Sequence, residues 1–253
     1  MRAEKSSSLE KALTLLDAFT MDKPEKRVTD LATKLGIGKS TAHRLLSTLE
    51  SEGFVTKDIR SRYYSLGVSI LSLSSVVISN NKICQAAIPV LKSLVKLSGE
   101  SAHVATLEKT RVVYLYKVDC EHPVRLRSHL GKENPAYCTS SGQVMLAFQP
   151  EEVVDQVIAE GLVPYTDKTI TSPEKLKSLL KTIRETHVAL SVEELHESVA
   201  SIGAPIRDHH GNVVASVSVA GPVQRLTNYT IPKLTKLVKL AANEISVRLH
   251  SQD

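Results

Sequence analysis

At 253 residues, with 42% hydrophobic and 23% charged residues, the chain has an ordinary globular composition that excludes long disorder and fibrous architectures. Its length predicts two domains, each large enough to bury a core. A net charge of +5 permits a nucleic-acid partner, and positive residues are denser at the front: residues 1–75 carry 12 Lys and Arg against 9 Asp and Glu, residues 76–253 carry 20 against 18.

Residues 7–67 read as three short helices and a hairpin. Leu9, Ala12, Leu13 and Leu16 recur at helical spacing behind the cap candidates Ser7 and Ser8, predicting a helix to about Phe19 that Asp22–Glu25 ends. Val28–Leu35 places Leu31, Ala32 and Leu35 on one face and stops at Gly36-Ile37-Gly38. Lys39–Glu52 sets Ala42, Leu45, Leu46 and Leu49 at i, i+3, i+4 and i+7, with Gly53 as its end. Phe54–Gly67 reads as two strands about an Asp58–Ser61 turn, a hairpin wing. Val68–Asn80 is apolar and serine-rich, Asn80-Asn81 is a break, and Ile83–Leu97 resumes a helical pattern. The expected division is therefore a DNA-binding domain over 1–75, a linker region over 76–82, and a second domain over 83–253.

The remainder alternates. Ala102–Leu107, Arg111–Val118 and Val124–Ser128 read as strands, and Ser141–Phe148, Pro150–Glu160, Pro173–His187 and Ile231–His250 as helices. Val199–Arg207 and Val213–Ala220 form a hairpin about His209-His210-Gly211-Asn212. No apolar run approaches the roughly 18–20 residues of a membrane span, and Met1–Ser8 lacks a signal peptide's apolar stretch. Cys84, Cys120 and Cys138 are widely spaced and form no C-x-x-C. A cytoplasmic protein with free thiols and no membrane partner is expected.

A helix-turn-helix needs a small residue where its helices cross, a turn residue tolerant of positive φ, and apolar positions that seat the second helix. Ala32, Gly36, Ala42 and Leu45 meet those needs in register. The inward stripe of the third helix leaves Ser40, His43, Arg44 and Ser47 outward, flanked by Lys39, Thr41 and Thr48. Arg44 has the fork that reads a guanine edge, while Ser40 and Thr41 at the helix start suit phosphate oxygens. The competing reading is a solvated helix face with a structural cap, and for His43 simple packing beside the wing. Lys57, Arg60 and Arg62 on the wing suit flanking phosphates or the minor groove; alone they would be ordinary surface charges.

In the second half, Cys138-Thr139-Ser140-Ser141-Gly142 before an apolar helix has the makings of an anion cradle, with helix-terminal N–H groups, hydroxyl donors and a glycine for close approach. Its plainer reading is an N-cap at a buried helix start. His103 and the His209-His210 pair are expected to be a packed histidine and a turn rather than metal ligands, since there is no H-E-x-x-H and no close Cys/His cluster. No metal or cofactor is expected. An enzyme would need Ser140 or Ser218 as nucleophile, yet no G-x-S-x-G elbow or phosphate-binding glycine loop occurs. A DNA-binding scaffold without a ligand is the other alternative.

Gly36-Ile37-Gly38-Lys39-Ser40-Thr41-Ala42-His43-Arg44-Leu45-Leu46 with Leu49–Gly53 closely resembles the recognition-helix signature of IclR-family regulators. Tyr63–Gly67 is similar to that family's wing exit, and Ser198–Pro205 through Val217–Pro222 to its C-terminal signature, so the resemblance covers about residues 7–250. It implies an α+β chain: an N-terminal winged helix-turn-helix plus a C-terminal GAF-like effector domain with an antiparallel sheet flanked by helices. It further implies double-stranded operator DNA and a small-molecule effector as partners, dimers through the DNA-binding half and often tetramers through the effector half. The positions it carries over for a bound carboxylate are Thr139, Ser140, Ser141 and Gly142 with Ser191, Ser201 and Ser218. Against the family's frequent acidic residue, glycine and cysteine this chain has Ser191, Ser198 and Ser201; Gln143 replaces a frequent lysine and Ala220 a frequent serine. A hydroxyl-lined, less charged pocket follows, suited to a sugar acid or small hydroxy acid. The expected mechanism is a regulator, by resemblance a repressor, in which effector binding shifts the half-site separation of two recognition helices through a coupling of about 1–3 kcal/mol.

Overall fold

The computed structural model describes residues 7–20, 22–121, 131 and 133–251. It forms two compact units, Met1–Ile78 and Ser79–Asp253. The first unit packs α1 (Ser8–Leu16), α2 (Val28–Leu35) and α3 (Lys39–Ser51) against a hairpin of β1 (Val55–Lys57) and β2 (Tyr64–Leu66). Ser7 caps α1 in a reciprocal box with Glu10. The expectation that this helix reaches Phe19 is corrected. It stops at Leu16 because the chain tightens into i→i−3 bonds from Ala18 N to Leu15 O and from Phe19 N to Leu16 O, which turns Phe19 into the core. Leu15, Leu31, Leu46, Val55 and Tyr64 meet there, so the hairpin is seated by the same core that seats α3. In the turn, Asp58 Oδ1 accepts from Ser61 N at 2.6 Å, and Arg62 takes a positive φ of 59°. That backbone hydrogen bond holds the Asp58 carboxyl below its usual range.

The apolar, serine-rich segment is α4 (Val68–Asn80). None of its residues is buried, and Val68, Leu71, Leu73, Val76 and Val77 are all exposed. The region expected to hold the domain boundary is therefore helical to Asn80.

The second unit is built on one six-stranded antiparallel sheet. Its strands are β3 (Ser101–Glu108), β4 (Arg111–Val118), β5 (Glu133–Pro135), β6 (Ala189–Val192), β7 (Val199–Arg207) and β8 (Val213–Pro222), in the order β5-β4-β3-β8-β7-β6. The three-residue β5 and the four-residue β6 are not among the strands expected from sequence, and the expected Val124–Ser128 strand lies outside the described residues. The helices are α5 (Lys82–Ser98), α6 (Ser140–Ala147), α7 (Glu151–Ala159), α8 (Pro173–Thr186) and α9 (Ile231–His250), with a 3₁₀ turn at Ala136–Cys138 before α6.

Strand alternation assigns the faces. Ala102 and Val104, Ala200 to Ile206 in alternate positions, and Ala215, Val217 and Val219 pack with α5 and α9 in the larger core. The intervening residues His103, Ser201, Gly203, Ser216 and Ser218 turn to the other face, where α6 lies; a Cβ on Gly203 would come within 2.9 Å of Ser140 O. Beyond α6, the residues Val154, Val157, Leu176, Leu180 and Ile183 of α7 and α8 complete a second core. Small and polar residues on the α6 face of β3, β7 and β8 leave space between sheet and helix start, and the site develops there.

Candidate nucleic-acid interface and ligand cavity

In the first unit, Gly36 ends α2 in the left-handed conformation at φ 63°, and α3 begins three residues later. Ala42 and Leu46 are fully buried, which leaves Lys39, Ser40, His43, Arg44 and Ser47 on the exposed face; Thr41 is half-buried. Gly38 supplies no side-chain cap, so the first N–H groups of α3 point out of the helix end. Ser47 Oγ lies 3.4 Å from His43 Nδ1, pairing those two polar groups on the outer face. On the hairpin, Arg60 and Arg62 are exposed near the tip, and half-buried Lys57 stands 5.5 Å from the centre of the Tyr64 ring. The arrangement is a helix presenting short polar groups and one guanidinium, beside a basic loop held to the same core.

In the second unit, a cavity of about 520 Å³ opens between the sheet and the start of α6. Of the seven positions inferred for an effector, Thr139, Ser140, Ser191, Ser201 and Ser218 line it. Ser141 and Gly142 stand behind that lining. The Ser141 hydroxyl donates to Ser218 Oγ at 2.9 Å, and Gly142 is packing-critical, since a Cβ there would come within 2.3 Å of Ala136 O. Thr139 also caps α6, its hydroxyl accepting from Gly142 N at 3.1 Å. The cap and the cavity wall are thus one feature rather than alternatives.

The cavity also recruits residues that sequence reasoning left aside or gave another role. His103 and Tyr114 enter from β3 and β4, their rings 5.2 Å apart, and Asn134 from β5. Tyr165 and Thr166 come from the loop before α8, Leu195 from the turn before β7 and Val199 from the start of β7. Burial, reinforced by the charge of Lys117, pushes the His103 imidazole down to about 3, so it is neutral at pH 7. Burial also raises the Tyr114 phenol and pushes the Cys138 thiol up to about 12, leaving both protonated.

Glu194 is the buried carboxylate of this wall. Gln143 Nε2 donates to its Oε2 at 2.8 Å and to Tyr137 O at 3.0 Å. The amide is turned for those two acceptors, and its own Oε1 is buried without a partner among the described residues. Burial raises the Glu194 carboxyl above its usual range, partly offset by hydrogen bonds from Gln143 and Ser191. Nothing in the spacing of Glu193-Glu194 marks the second residue as the buried one. The signal that would have found it is strand β6, whose alternation carries Ser191 inward and sets the turn that follows.

A recognition helix with a basic hairpin in one unit and a hydroxyl-lined cavity in the other define a transcription regulator with a separate ligand-binding domain. A model of the C-terminal region of bacterial IclR transcriptional regulators matches residues 75–247, and one of the IclR helix-turn-helix domain matches residues 8–58. The chain belongs to the IclR family. It is 30% identical over 250 residues to the HTH-type transcriptional regulator KdgR of Escherichia coli, spanning 98% of this chain and 94% of that one. It is 32% identical over 246 residues to KipR of Bacillus subtilis, spanning 97% and 98%. The crystal structure of an IclR transcriptional regulator from Alicyclobacillus acidocaldarius has a TM-score of 0.86 to this fold at 27% identity, covering 97% of this chain and 99% of that one. Like its relatives, the protein is a DNA-binding transcription regulator with a ligand-binding C-terminal domain. No helix among the described residues is long and apolar enough to cross a membrane.

Proposed function

We propose that the protein is a cytoplasmic repressor that reads a two-fold operator through Lys39, Ser40, Thr41, His43, Arg44 and Ser47, with Lys57, Arg60 and Arg62 on the flanking backbone. Its operator affinity is set by a hydroxylated carboxylate, such as a sugar acid, in the cavity over Ser140. The observation that carries the reading is the convergence of Thr139, Ser140, Ser191, Ser201 and Ser218 on one cavity of about 520 Å³ at a helix N-terminus, a size ordinary for small-molecule sites. A homodimer is supported by α4, where Val68, Leu71, Leu73, Val76 and Val77 are exposed, and by Leu9 and Leu13, exposed on α1; two such dimers would make the tetramer. Catalysis is disfavoured because His103, beside Ser218 in register, is too weak a base to activate a serine.

Selection of bound sequences from random duplex DNA at one fixed salt concentration tests the operator reading: a pseudo-palindrome enriched by wild type and lost by Arg44→Ala is expected. A thermal-shift screen of hydroxy acids tests the effector reading, with about 2.7 kcal/mol of stabilisation at 100 times the dissociation constant. Ester or glycoside turnover that disappears in Ser140→Ala would replace this reading with an enzymatic one.

A further inference from the structure

Glu194 is held in the cavity wall from two sides. Gln143 donates to its carboxylate, and its backbone carbonyl accepts from the Thr169 hydroxyl at 2.6 Å. The Gln143 amide takes one of the four acceptor positions of the carboxylate, while the neighbouring Ser191 hydroxyl donates to Cys138 O at 3.4 Å. Acceptor capacity remains for something in the cavity.

Among the described residues no cation pairs with this carboxylate. Cys138 and Gln143 face it from the 3₁₀ turn and α6, Tyr165 from the loop before α8, His103 and Tyr114 from β3 and β4, and His196 and Glu197 from its own turn. No lysine or arginine stands among the described lining residues. Lys168, in the loop before α8, pairs with Glu193 instead. The cavity, about 10 Å across if taken as a sphere, keeps any effector charge within roughly one Debye length of Glu194, in surroundings poorer in water than bulk. One effector carboxylate has a counterweight in the N-terminus of α6 and the hydroxyls of Thr139 and Ser140. A second has no cation among the described lining residues, and Lys117, whose charge bears on His103, is already paired with Asp119 at 2.7 Å.

Resting on the reading of this cavity as the effector site, we propose that Glu194 is its specificity-determining residue. The carboxylate accepts a hydrogen bond from an effector hydroxyl and rejects a second effector carboxylate, so the site takes hydroxylated monocarboxylates and excludes dicarboxylates of equal length. Isothermal titration of the full chain with two matched pairs tests this: D-gluconate against D-glucarate, and D-glycerate against tartronate. The proteins compared are wild type, Glu194→Gln and Gln143→Lys. Wild type is expected to bind the monoacid of a pair at least tenfold more tightly, and both variants to narrow that ratio to threefold or less. The first removes the charge at nearly constant shape; the second sets an ammonium beside it, and reads the same quantity if Glu194→Gln does not fold. Equal binding of both acids by wild type, or a tenfold ratio that survives in a folded variant, overturns the role of Glu194 while leaving the cavity as the effector site. Silence of all four acids with all three proteins overturns the acid-effector reading itself, and the role of Glu194 with it.

Discussion

The Ser141 hydroxyl donates to the Ser218 hydroxyl at 2.9 Å, joining the first turn of α6 to β8 near the middle of the sheet. Ser218 stands opposite His103 on β3, so this one bond ties the floor of the cavity to the helix that closes it. Both serines are buried. Losing one partner therefore strands the other hydroxyl, and Ser141→Ala is expected to cost about 1–2 kcal/mol. In a double-mutant cycle with Ser218→Ala, measured by urea unfolding, the coupling should reach about 0.5 kcal/mol or more. Strict additivity would mean that the two hydroxyls do not depend on each other.

His103 predicts a pH dependence with a definite sign. Its folded-state value, about 3, lies below the unfolded value of about 6.5. The stability it supports is therefore present above about pH 6.5 and is lost as pH falls toward 3, because the unfolded chain takes up a proton that the buried ring refuses. Between pH 7.5 and 5 the loss is about 2 kcal/mol at 1.36 kcal/mol per unit. Glu194, raised by burial, works in the opposite direction, favouring the folded state as pH falls. Comparing wild type with His103→Gln by urea unfolding at pH 7.5 and 5.0 isolates the histidine: the variant should lose less stability across that interval. An equal loss in both would show that the ring is protonated in the folded protein.

What the sequence made legible was local. Ala32, Gly36, Ala42 and Leu45 together with the wing pattern that follows them mark a helix–turn–helix, and the Val199–Ala220 hairpin is announced by its turn and its alternation. Strand β6 was not visible because four residues give only two inward positions, and β5 because its three residues end in proline. The hydroxyl wall was half legible, since Thr139–Ser141 sit together at a helix start. Its other half was not, since β3 meets β8 only after more than a hundred residues, and register alone sets His103 against Ser218. Glu194 depended on a further step, the turn after a strand that the pattern did not reveal.

Gly142 separates packing from ligand approach. The resemblance placed it among the effector contacts, whereas in the fold a Cβ at this position would meet Ala136 O at 2.3 Å and Ala136 Cα at 2.4 Å. Both are backbone atoms of the 3₁₀ turn, so no flexible side chain can yield, and Gly142→Ala must push α6 away from that turn. Overpacking of this kind costs about 1–3 kcal/mol. Thermal unfolding should show a lowered Tm with or without hydroxy acids present. A variant as stable as wild type that only binds those acids less tightly would restore Gly142 to the contact set.

Arg44 and Arg60 are both exposed, but they occupy different parts of the proposed interface, one in the middle of α3 and one near the tip of the hairpin. A guanidinium forked onto a base edge contributes about 1–3 kcal/mol of discrimination, whereas one on a phosphate weakens all sequences alike and carries roughly one unit of salt dependence. Arg44→Ala should therefore flatten preference at one position of each operator half-site and leave the slope of log affinity against log salt nearly unchanged. Arg60→Ala should do the reverse, keeping the preferred sequence while lowering the slope by about one. Fluorescence-anisotropy titrations of the selected operator and its single-base variants at several salt concentrations read both quantities. Identical effects of the two substitutions would remove the distinction between helix and hairpin, since base reading by Arg44 requires that its loss be felt unequally among sequences.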